Sequence, residues 1–153
     1  MMRDHRARIL RAIVALLLAA LLGVVGLTWG QEVSKFGNPW LWVTIGKVTV
    51  KAEAVRTPHK LYLGLSYRRE LPEGRGMLFF MPKVEVQEFC MRGMGFPLDF
   101  IWISEGRVAG LTRNVPPDFP GDLSSPAPVN YVLEVPAGFA DKYAIQVGDP
   151  VRW

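Results

Sequence analysis

The chain has one cysteine, Cys90, and two histidines, of which only His59 lies beyond residue 30. A lone cysteine closes no intrachain disulfide, and these counts exclude the usual zinc spacings, a Cys-x-x-Cys redox pair and a cluster of histidine ligands. No Gly-x-Ser-x-Gly elbow is present, and a nucleophilic triad would have only His59 for its base. A surplus of one charge is also missing once the chain is divided. The net +4 falls mainly on the first 30 residues, where four arginines face Asp4; the remainder carries 14 basic and 13 acidic side chains. Without a basic field to gather phosphates, nucleic acid is not an expected partner. There is no internal repeat and no low-complexity tract.

What is there begins with a leader. Arg3, Arg6, Arg8 and Arg11 precede an uncharged apolar run of 18 residues, Ala12 to Trp29. This is the layout of a signal peptide or, since Trp29 spoils the cleavage site between Thr28 and Gly30, of an N-terminal hydrophobic helix that anchors the chain through residues 9–29. The arginines then stay inside and the body is extracytoplasmic, periplasmic or at the cell surface. Residues 1–30 are thus leader or anchor, 31–39 a polar linker with Gly37, Asn38 and Pro39, and 40–153 a single domain.

Within that domain, Trp40 to Val55 reads as one bent strand or two short ones around Gly46-Lys47. Thr57-Pro58 opens a short helix, with Thr57 able to cap it and Gly64 to end it. Met77 to Met81 is a short strand stopped by Pro82, and Lys83 to Glu88 suits a surface element. Leu98 to Ser104 alternates as a strand buried on both faces, and Glu105-Gly106 turns it into a partner strand, Arg107 to Asn114. Asn114 to Pro128 holds five of the 12 prolines and reads as an ordered flap or a passive connection. Asn130 to Val135 is a core strand, Gly138 to Tyr143 a turn or two of helix, and Val151 to Trp153 an edge segment. The class is α+β, mainly β: a curled or barrel-like mixed or antiparallel sheet with two short helices.

The candidate site lies in Phe89 to Ser104. Alternation sets Leu98, Phe100 and Trp102 on one side and Asp99, Ile101 and Ile103 on the other, so Asp99 is an acid among large apolar neighbours. It needs donors, a proton or a water-filled cavity. Backbone N–H groups around Gly93 and Gly95 are near in sequence, and Arg92 is the nearest cation. Asp99 is therefore either a structural acid pinning a turn or the polar anchor of a pocket. Glu134 is a second acid in an apolar strand, and the two could form a general acid–base pair. Met77, Met81, Cys90, Met91 and Met94 would suit Cu(I), but methionine and free cysteine also fill cores, and no cofactor or metal is expected. Exposed aromatics with polar anchors would make a binding patch.

Gly76-Met77-Leu78-Phe79-Phe80, Met91-Arg92-Gly93-Met94 with Phe96-Pro97-Leu98-Asp99, Tyr131-Val132-Leu133-Glu134-Val135 with Gly138, and Val147-Gly148-Asp149 resemble, in order, the family known as domain of unknown function 192. The resemblance runs from about Val48 to the C-terminus. It implies a small, mainly β, often exported domain with the Pro-Leu-Asp block at its centre, and no agreed activity. Many members have Trp where this chain has Cys90, and Asn-Thr where it has Gly93-Met94. The expected function is a noncatalytic, membrane-anchored domain binding a small ligand or partner protein near Arg92, Asp99, Met91 and Asn114. The alternative is a hydrolase-like enzyme using Asp99 or Glu134.

Overall fold

The structure is a computed structural model that describes residues 31–153; the expected N-terminal hydrophobic helix lies outside the described residues. Among the described residues no helix is long and apolar enough to cross a membrane. Trp40–Val55 forms two strands, β1 (Trp40–Ile45) and β2 (Val48–Val55), folded back at Gly46-Lys47. Helix α1 (Pro58–Leu63) carries the chain to β3 (Arg75–Glu85), which pairs parallel to β2. Thr57 is its N-cap by position, yet its side chain makes no capping hydrogen bond; Pro58 supplies the fixed φ that starts the turn. Then follow β4 (Glu88–Cys90), β5 (Leu98–Ser104), β6 (Arg107–Val115), β7 (Asp122–Ser124), β8 (Val129–Pro136), the single turn α2 (Phe139–Lys142) and β9 (Val151–Arg152).

Seven strands make one sheet in the order β6-β5-β8-β3-β2-β1-β9. It curls strongly: the amide of Val108 donates to Asp149 and that of Val151 to Gly106, so the residues around β9 bridge toward β6. The result is a half-barrel with two short helices. The β5–β6 hairpin turns at Glu105-Gly106, both with positive φ, as a two-residue turn between twisted strands requires.

Two expectations are corrected. β3 does not stop at Pro82, because its register with β8 breaks between Phe80 and Glu85 and proline's missing N–H costs no ladder bond there. The proline-rich stretch 114–128, expected as an ordered flap or passive connection without regular structure, contains β7, which pairs antiparallel with β4 in a separate two-stranded ribbon.

Alternation along the strands divides the core in two. One face buries Val43, Ile45, Leu78, Ile101, Ile103 and Leu133 with Phe139 and Ala140 of α2. The other buries Val55, Met77, Phe79, Phe100, Trp102 and Val132 beneath the α1 crossover and the ribbon. The central pairing of β3 with β8 leaves no room at Gly76, where a Cβ would stand 2.8 Å from the Glu134 carbonyl oxygen. Gly76→Ala must therefore move backbone, and we expect a loss of about 2 kcal/mol in denaturant unfolding; an unchanged midpoint would contradict this packing.

Candidate functional site

Paired residues of neighbouring strands point to the same side, so the register places the acids without ambiguity. Glu53, Met77, Glu134 and Phe100 form one row across β2, β3, β8 and β5. Asp99 precedes Phe100 and points to the opposite face. The structure therefore does not bring Asp99 and Glu134 together, and they form no acid–base pair.

Asp99 is fully buried. Its Oδ1 accepts from the amides of Asn114 (2.7 Å) and Gly138 (3.2 Å), and its Oδ2 from Ala140 (2.8 Å). The expected donors near Gly93 and Gly95 take no part; the three donors come instead from the end of β6 and from the α2 turn. Asn114 contributes its amide and a positive φ, with its side chain exposed. Met91 is core. Neither Asp99, Met91 nor Asn114 lines the cavity described next.

That cavity, about 330 Å³, lies on the Glu134 face between the α1 crossover, β3 and β4. Leu61, Leu65, Phe79, Phe89 and Leu98 give it apolar walls. Phe89 stands edge-on to Phe79 (5.0 Å between centroids), Trp102 (5.7 Å) and Phe100 (5.9 Å), which seats the ribbon against the sheet. Arg92 lies among its polar residues because its turn is tied to the crossover: Ser66 Oγ donates to the Arg92 carbonyl (2.9 Å) and the Tyr67 amide to that of Gly93 (2.7 Å). Only glycine serves at 93, where φ is +71° and a Cβ would meet the Tyr67 ring at 3.0 Å. Arg92 Nη1 donates to the Tyr62 hydroxyl at 3.3 Å. Of the sulfur set, Met81, Cys90 and Met94 line the cavity, while Met77 and Met91 are core.

Glu134 also lines the cavity, is 5 % exposed, and its Oε2 has no hydrogen-bond partner. Burial pushes its carboxyl up to about 8, against a weaker downward pull from the Arg68 charge. Glu53, in the same row, is treated very differently. Arg68 holds it at 2.5 and 3.0 Å, Asn38 donates at 2.6 Å and Ser34 at 3.0 Å. Burial raises Glu53, but these donors and the Arg68 charge outweigh it and hold the carboxyl below its usual range. Residues 31–39, which read as a linker, are fastened to the domain through these bonds. Sequence reading missed Arg68 and Glu53; the available signal was a charged residue in a strand between Ala52 and Ala54, both too small to be a solvent-facing pattern by themselves.

Two outcomes follow. Asp99→Ala leaves three amides without their acceptor, that of Ala140 buried and those of Asn114 and Gly138 partly so, at about 1–3 kcal/mol each, so we expect a loss of about 4 kcal/mol or failure to fold, with Asp99→Asn intermediate by calorimetry. A wild-type midpoint in Asp99→Ala would overturn this role. Glu134 is raised in the folded state, so its contribution to stability is present below the ordinary value of 4.5 and drains away as pH climbs to about 8. Wild type should lose melting temperature relative to Glu134→Gln between about pH 5 and pH 9; a constant difference would refute the raised value.

No curated protein matches the chain. Solved structures that share its fold include two crystal structures. One is a protein of unknown function from Novosphingobium aromaticivorans, 29 % identical with a TM-score of 0.76, covering 82 % of this chain and 94 % of its own. The other, from Sinorhizobium meliloti, carries the label "putative transcription regulator"; it is 28 % identical with a TM-score of 0.71, covering 79 % of this chain and 96 % of its own. Residues 41–153 match the family described as "Uncharacterized ACR", so the chain belongs to the domain of unknown function 192 family.

Proposed function

We propose that this chain is a noncatalytic extracytoplasmic domain, held at the membrane by residues 9–29, that binds a small ligand in the cavity beside α1. The observation that carries the reading is a lined cavity with Arg92 among its polar residues and a buried, unpartnered carboxyl oxygen of Glu134 in its wall. Binding sites combine such apolar walls with few polar groups, and a guanidinium offers paired donors to an anionic group. Cys90 and Ser66 are the thiol and the aliphatic hydroxyl among the lining residues, and no histidine lines the cavity with them. The membrane and export parts rest on the arginines and apolar run of residues 1–30. The regulator label of the Sinorhizobium protein finds no support: residues 31–153 are nearly neutral, and the described helices span six and four residues, too short to fill a major groove.

Native mass spectrometry of the full chain extracted from membranes tests this. We expect a small-molecule adduct that denaturation releases and that Arg92→Ala depletes about tenfold, equivalent to about 1.4 kcal/mol of affinity. No adduct, or one indifferent to Arg92, would remove the basis for the reading.

A further inference from the structure

We infer that the ligand of this cavity carries an ammonium group with apolar substituents, met by Glu134, besides the anionic group that Arg92 takes. The inference rests on the ligand-binding reading above and names the class of ligand.

The argument begins with two acids in one row. Glu53 receives donors from Arg68, Asn38 and Ser34. Glu134, separated from it by Met77, leaves Oε2 with none. Arg68 cannot serve both. Its guanidinium is held by both oxygens of Glu53 and lies 3.8 Å over the Phe36 ring, with its side chain 9 % exposed. Arg68 is thus spent on Glu53, and Arg75, on the same face of β3 and with Nη1 also lacking a partner, lies over the Trp40 ring and forms no ion pair with Glu134. A buried carboxylate without a partner is costly, and a cation entering the cavity removes that cost.

The walls suit such a guest. Buried Phe79 and half-buried Phe89 line the space together with the exposed Tyr62 and Tyr67, and ring faces attract ammonium groups. An anionic group beside Glu134 would meet like charge, whereas Arg92 can take one where it bonds Tyr62. At about 330 Å³ the cavity sits at the small end of ligand sites, which fits a compact amine. The titratable groups facing the same space are Tyr62 and Tyr67 from the crossover, Glu88 and Cys90 from β4, and Arg92 from the turn, with Arg68 acting from behind.

Calorimetric titration of the full chain with benzyltrimethylammonium, benzyl alcohol and phenylacetate separates the cases. The ammonium is expected to bind and to release about one proton per site near pH 7, read from its heat in buffers of different ionisation enthalpy. Its affinity should rise by about two powers of ten from about pH 6 to about pH 9, as the ionised fraction of Glu134 grows. Glu134→Gln should abolish binding while retaining a cooperative melt. Binding of benzyl alcohol or phenylacetate in place of the ammonium overturns the ligand class and leaves the cavity a binding site. Ammonium binding without proton release, or unchanged in Glu134→Gln, overturns the role of Glu134. Failure of all three compounds to bind removes both the inference and the reading it rests on.

Discussion

The pairing of β5 with β8 is the constraint on which the rest depends. Asp99 opposes Val135 and Phe100 opposes Glu134, so two adjacent rungs send one carboxyl to each face of the sheet. A slip of one residue would exchange the faces of an entire strand. Each face then solves its own polar problem. On one, Asp99 collects amides from the end of β6 and the start of α2, which ties the hairpin and the helix to the sheet. On the other, Glu53 and Glu134 share a row, and Arg68 pairs with Glu53 alone.

This division explains why one acid reads as structure and the other as chemistry. Asp99 is an acceptor surrounded by fixed backbone donors, and nothing can reach it. Glu134 is an acceptor whose surroundings are side chains of a cavity wall. Its difference from Glu53 is geometric: Glu53 lies close enough to the 31–39 segment to receive Ser34 and Asn38, and Glu134 lies two strands farther along the row.

Much of the fold was legible because it is local. Leu98 to Ser104 alternates cleanly, Glu105-Gly106 has the turn chemistry of its hairpin, and Gly64 ends α1 where the chain can take a positive φ. The partners of Asp99 were not legible, because they lie 15 to 41 residues later and nearness in sequence favoured the wrong glycines. Arg68 stands in a run with Arg69 and Glu70 that looks like solvated surface, and only the tertiary meeting with Glu53 buries it. The passage of β3 through Pro82 depended on a break in pairing that no single strand displays.

The ribbon of β4 and β7 has a dynamic consequence. Three register pairs hold it, and it carries Phe89 and Cys90 into the cavity wall while sharing no ladder with the seven-stranded sheet. Opening the wall therefore requires withdrawing Phe89 and Leu123 and breaking a short ladder together with the Gln87–Ser125 and Gln87–Val129 bonds beside it, a subglobal event cheaper than global unfolding. Any passage into the cavity by that route would leave the seven-stranded sheet whole.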